Sequence, residues 1–176
     1  MQSVPLEVSV SVAPNVEAIL RDAGVDLVRF EEQVRRAVEG ALPLAVAPLP
    51  QPIASEPLEC HLLLTDDAQI AQLNGDYRGV SSPTDVLSFG YGDEAPVLGD
   101  IVISVETAQR QAELNHHDLM TELLLLSLHG ALHLLGYEDE TDAGRDGMVQ
   151  QAIQILRQMG YPANSAWYSR YNENQS

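Results

Sequence analysis

His129 and His133 stand four residues apart inside the apolar run from Leu123 to Leu135, followed by Gly136 and the acidic cluster Glu138-Asp139-Glu140. On a helix, side chains at this spacing share one face, with Cβ atoms about 5–6 Å apart. Two imidazoles so placed can bind one metal ion, each nitrogen about 2.0–2.1 Å from it. Gly136 can stop the helix, since glycine accepts the left-handed conformation common just past a last turn. The chain can then turn back and offer a carboxylate, Asp139 with Glu138 and Glu140 beside it, as a third ligand. Three protein ligands with one position left open make a catalytic rather than a structural metal site. The competing reading is a pair of core histidines, whose buried ring nitrogens would each need a hydrogen-bond partner.

The residue after His129 bears on the reaction. Zinc peptidases with a His-Glu-x-x-His helix use that glutamate as general base; this chain has Gly130 there. The metal-binding spacing survives, while peptide hydrolysis loses its base. Arg78 lies in Gly75-Asp76-Tyr77-Arg78-Gly79, which reads as part of a turn-rich loop. Its planar guanidinium can grip two phosphate oxygens. A surface ion pair with Asp76 or Asp85 fits the local sequence equally well.

These groups need elements to position them. Leu6–Val12 alternates apolar and polar residues and reads as a strand with one face in the core. From about Val25 to Ala41, Leu27, Phe30, Val34, Val38 and Leu42 mark an amphipathic helix, with Arg35 and Arg36 on its solvated side. Pro43 to Pro57 carries five prolines and reads as an extended surface insertion. Leu58–Thr65 is a second strand, and Asp66 caps a short helix to about Leu73. Asp85–Phe89 and Gly99–Ser104 suggest a hairpin. Helices follow at Val105–Leu114, from Asp118 to about Leu135, and from Asp142 to Met159. The middle one is apolar on nearly every side, so it belongs at the centre of the fold. The tail, residues 163–176, is polar and reads as loose. About four strands and five helices, unevenly mixed, give a single α+β domain.

Composition narrows the partners. The 176 residues carry a net charge of −17; all nine basic residues are arginine. Such a surface disfavours nonspecific binding to nucleic acid or anionic membranes, while leaving room for a local positive site. The single cysteine, Cys60, sits in a strand and reads as a small buried apolar residue, compatible with a reducing compartment. The N-terminus has no basic start or long apolar core, and the run to Leu135 is too short to span a membrane. A cytoplasmic protein is expected.

Four blocks together resemble one known family. They are Leu73-Asn74 through Tyr77-Arg78-Gly79, Pro83-Thr84-Asp85-Val86-Leu87-Ser88-Phe89, Gly99-Asp100-Ile101-Val102-Ile103-Ser104, and the His129–Asp139 segment. With the intervening helices they cover about residues 58 to 160, in order, and the chain is similar to the YbeY family of bacterial single-domain endoribonucleases and rRNA maturation factors. The family pattern is His-Gly-x-Leu-His-Leu-x-Gly-Tyr-Asp-His, with three histidines on zinc. Here His129 and His133 match the first two, Asp139 stands at the third and Glu138 precedes it. The resemblance therefore implies a zinc site of His129, His133 and Asp139. A carboxylate ligand also suits harder divalent metals such as Mn²⁺.

By the same resemblance, the fold is a small mixed sheet with the metal helix at its core, and Arg78 is a functional arginine. The activity implied is metal-dependent cleavage of RNA in 16S rRNA processing and ribosome quality control. RNA affinity normally rests on many Lys and Arg contacts. The acidic surface therefore implies weak intrinsic RNA binding, with the ribosome or a ribosomal protein supplying orientation. The alternatives are a zincin-like hydrolase or peptidase, disfavoured by Gly130, and a non-catalytic ribosome-assembly factor whose metal only stabilises the fold.

Overall fold

The computed structural model describes residues 5–50, 56–92 and 96–163. Strands β1 (Leu6–Val12), β2 (Leu58–Thr65), β3 (Val86–Phe89) and β4 (Val97–Ser104) form one sheet in the order β1-β2-β4-β3. β1, β2 and β4 run parallel, and β3 pairs antiparallel with β4, so the expected hairpin closes one edge. Among the described residues, six α-helices accompany the sheet: α1 (Glu17–Asp22), α2 (Leu27–Ala41), α3 (Asp67–Arg78), α4 (Val105–Asn115), α5 (Leu119–Leu134) and α6 (Asp142–Gln158). The expected count was about five. The addition is α1, whose six residues are too few to display a helical period.

Strand alternation divides the two faces of the sheet. Leu58, Cys60, Leu62 and Leu64 of β2, with Val86, Ile101 and Ile103, join the main core under α2 and α5. Leu87 and Val102 face the other way and form a smaller cluster with Ile70 of α3. Cys60 is fully buried, and burial, helped by the nearby Asp100 charge, pushes its thiol up to about 12. The apolar reading of this cysteine therefore holds.

α5 is the central helix, with every residue from 121 to 132 buried. Burying one leucine contributes roughly 1.5–3 kcal/mol, so this leucine-rich helix is a rigid mount for its histidines. Asp118 caps it by accepting from Thr121 N at 2.8 Å. Gly130 allows the helix to lie close on the sheet. A Cβ there would stand 2.8 Å from Ile101 Cγ2 and 3.0 Å from Ser88 Oγ. The Ser88 hydroxyl uses that proximity to donate to Gly130 O at 3.0 Å.

Three expectations change. α3 does not end near Leu73 but runs to Arg78, and Gly79 stops it with φ +72°. The turn-forming residues Asn74 and Gly75 are carried inside the helix because the Gly79 and Val80 amides close its end, donating to Gly75 O at 3.1 Å and Asn74 O at 3.4 Å. Leu27 is partly exposed at the start of α2, while Ala37 and Ala41 fill the buried stripe. At the far end, Ala163 is buried and its carbonyl accepts from Arg157 Nε at 2.8 Å; the rest of the tail lies outside the described residues. Of the proline-rich segment, residues 51–55 also lie outside them. No helix among the described residues is long and apolar enough to cross a membrane.

Candidate metal centre

Both histidines project from the last two turns of α5, as their spacing required. His129 is buried and His133 half-buried. Their Nε2 atoms face each other at 3.1 Å. Past the helix, Leu135 and Gly136 make a tight reversal. Gly136 N donates to His133 O and Tyr137 N to Leu132 O, each at 3.0 Å, which is the paired closure of a Schellman turn. Gly136 has φ +99°, and a Cβ on it would stand 2.6 Å from the Ala47 Cβ.

That reversal aims the next residues back at the helix. Asp139 Oδ2 lies 3.5 Å from His129 Nε2 and 3.4 Å from His133 Nε2. Of the acidic run, Asp139 is the residue brought to the histidines; Glu138 and Glu140 are outside the cluster. Arg145 of α6 fixes the loop by donating from Nε to Asp139 O at 3.2 Å, and Thr141 caps α6 by accepting from Gly144 N at 3.0 Å.

The proline-rich segment supports the same turn. Val46 N and Ala47 N both donate to Leu135 O, at 2.9 and 3.0 Å. The Tyr137 hydroxyl donates to Leu44 O at 3.0 Å. Sequence reasoning missed this role, because nothing in a run of prolines and alanines names the surface it will cover. It also missed Arg145, which reads only as one more charge in a polar helix start.

The cluster fits a metal ion. Ligand atoms about 2.0–2.1 Å from one tetrahedral ion stand about 3.3–3.4 Å from each other, and the three separations here are 3.1, 3.4 and 3.5 Å. The donor set, two imidazoles and a carboxylate, is one that zinc accepts. His129 and His133, by their hydrogen bonds and then their charge, hold the Asp139 carboxyl well below the usual carboxylate range. An ionised Asp139 at neutral pH is the form that binds metal.

Arg78 is on a different element. It is the last residue of α3, exposed, and makes no ion pair with Asp76 or Asp85. It lines a cleft between α3 and α4, together with Asn74, Thr84, Thr107 and Arg110. That cleft does not contain the His129 cluster. The ends of α3 and α5 that carry them both approach the same end of β3. Tyr77, next to Arg78, packs its ring 4.9 Å from that of Phe89, and a Cβ on the following Gly90 would lie 3.8 Å from Leu134 of α5.

Comparison with known proteins identifies the family. A family model described as Endoribonuclease YbeY matches residues 22–160. Proteins named Endoribonuclease YbeY from Desulfitobacterium hafniense and Moorella thermoacetica are 44% and 46% identical to this chain, over 60% and 58% of it and 74% and 73% of their own lengths. The Desulforamulus reducens protein of the same name is 39% identical over 76% of this chain and 91% of its own. A solution structure of a Thermotoga maritima protein aligns with a TM-score of 0.47 at 19% identity, over 88% of this chain and 91% of that one. By its family match over residues 22–160 and its 39–46% identity to these relatives, the chain belongs to the YbeY endoribonuclease family.

Proposed function

We propose that this protein is a metal-dependent endoribonuclease of rRNA maturation, with His129, His133 and Asp139 as its metal ligands and zinc as the metal. The observation that carries the reading is the near-tetrahedral spacing of the three ligand atoms in a chain of this family. Zinc bound there would supply Lewis-acid polarisation of a phosphoryl oxygen and lower the pKa of water to about 7.

The chain's own residues do the rest. α5 holds the two imidazoles rigidly, since its last turns are packed in the core. The turn at Gly136 and the Arg145 contact hold Asp139 against them. Arg78, exposed and with no ion pair among the described residues, grips the phosphate and stabilises charge that builds on it. Gly130 is packed against Ile101 and Ser88, so the position that carries a base in zinc peptidases faces the sheet here. This supports phosphodiester over peptide hydrolysis.

The protein has a net charge of −17, which opposes tight binding to naked RNA. The ribosome or a ribosomal protein therefore presents the substrate, in the cytoplasm. The single domain carries a proline-rich insertion, residues 43–57, of which Leu44, Val46 and Ala47 back the metal turn.

The test is cleavage of a precursor rRNA fragment, with peptide substrates in parallel, before and after chelation and after return of Zn²⁺ or Mn²⁺. RNA cleavage lost on chelation and restored by metal is expected. Metal-independent cleavage, or peptide cleavage alone, would reject the proposal. Arg78→Ala should keep metal content and Tm while losing cleavage; unchanged activity would remove Arg78 from the mechanism.

A further inference from the structure

The cleft between α3 and α4 has features that gripping a phosphate does not require. Its volume of about 760 Å³ exceeds what a phosphate group fills and falls in the range of small-molecule sites. Two exposed apolar side chains, Val80 and Leu114, line it, 50% and 52% exposed. Surface apolar residues are common singly; two on the walls of one cleft offer a pair of faces for a flat ring.

Two residues of the wall, Asn74 and Gln111, have amide oxygens that are shielded from water and have no hydrogen-bond partner among the described residues. Asn74 is 5% exposed, and a buried polar atom without a partner is uncommon in a folded protein. Its orientation is fixed. Asn74 Nδ2 donates to Ser82 O at 3.0 Å, and a flipped amide would set two oxygens against each other. Asn74 therefore presents an acceptor, and what completes it is an N–H or O–H donor.

A cationic group, two apolar faces and unsatisfied acceptors are together the complement of a nucleotide. We propose that this cleft binds one nucleotide of the RNA, its base between Val80 and Leu114, its amino edge donating to Asn74 and Gln111, and its phosphate on Arg78. Apolar side chains are a known stacking surface for an unstacked base. Adenine, cytosine and guanine carry an exocyclic amino group with two N–H donors; uracil offers a single N3–H between two carbonyl oxygens, so it satisfies at most one of the two amide oxygens and sets a carbonyl against the other. The cleft thus selects against uracil. This inference rests on the endoribonuclease reading for its ligand class.

The test uses the full chain with metal removed, so that binding is read apart from cleavage, and titrates AMP, CMP, GMP and UMP. The three amino-bearing nucleotides should bind at least about tenfold tighter than UMP, the scale of leaving one or two buried polar groups unpaired. Gln111→Leu should shrink that preference. Leu114→Asp, at an exposed site, should weaken all four about tenfold without moving Tm. Equal affinity for the four, or a preference that neither variant alters, overturns the inference. With metal restored, RNA cleavage without base preference would also reject the cleft while leaving the enzyme reading intact. Nucleotide binding as described, without any RNA cleavage, would do the reverse.

Discussion

His133 Nδ1 faces the carbonyl oxygen of Tyr137 at 3.0 Å. A carbonyl can only accept, so Nδ1 carries a proton, and Nε2 is the nitrogen whose lone pair a metal would take once it displaces any proton there. That lone pair points into the cluster, 3.1 Å from His129 Nε2 and 3.4 Å from Asp139 Oδ2. Tyr137 is itself placed by the Gly136 turn and by its hydroxyl on Leu44 O. The orientation of a proposed metal-binding nitrogen is thus tied to a loop more than eighty residues earlier in the chain.

Gly136→Ala should disturb that relay. A left-handed backbone strains any residue with a Cβ, and here the added carbon would also meet Ala47 at 2.6 Å. Partners that orient a metal ligand typically matter about 10–100-fold in affinity. Competition against a coloured chelator should show a loss of that order, with α5 still folded by circular dichroism. Unaltered affinity would mean that the turn does not orient His133.

Asp139 carries a second prediction. Elemental analysis of purified wild type should give about one divalent metal per chain, and Asp139→Ala clearly less. Asp139→His restores the residue that the family pattern has at this position. It should keep the metal and raise the preference for Zn²⁺ over Mn²⁺, because imidazole is the softer ligand. Metal content unchanged in Asp139→Ala would remove the carboxylate from the set.

Much of this site was legible because a helix converts spacing into geometry. The four-residue step, the apolar run and the glycine after it placed His129, His133 and the reversal correctly. Arg78 was legible as a residue but not in its setting. Asn74 and Gly75 read as a turn, whereas tertiary contacts hold them in helix: Asn74 is buried and its amide reaches Ser82. The support from Leu44 to Ala47, and the placing of Asn74 and Gln111 of two helices on one cleft, depend on contacts distant in sequence. No local pattern encodes these.

Gly130 yields a third prediction, about packing. Gly130→Ala places a methyl 2.8 Å from Ile101 Cγ2, in a helix held on both sides. Overpacking of this kind costs about 1–3 kcal/mol, and a domain of this size loses about 2–4 °C in Tm for each kcal/mol. Gly130→Glu, which installs the peptidase base in sequence, should be far less stable and gain no peptidase activity. A stable Gly130→Glu protein that cuts peptides would reverse the choice between the two hydrolases.

Asp67, at the start of α3, links stability to pH. Its carboxylate accepts from the Ser104 and Thr107 hydroxyls, each at 2.6 Å, and from Arg110 at 2.8 Å. Burial by itself raises its pKa; the bonds to Ser104, Thr107 and Arg110 outweigh that and leave it below the ordinary value. A carboxyl whose folded pKa is depressed binds protons more readily when unfolded. Its contribution is therefore complete above the unfolded value of about 3.9 and disappears as pH falls through the lower folded value. Asp67→Asn should then be less stable than wild type at neutral pH by a margin independent of pH, with the two converging as the buffer drops below about pH 4. Urea midpoints measured across that range would show it. A gap that stays constant into acid would mean that Asp67 contributes through shape and hydrogen bonding rather than through its charge.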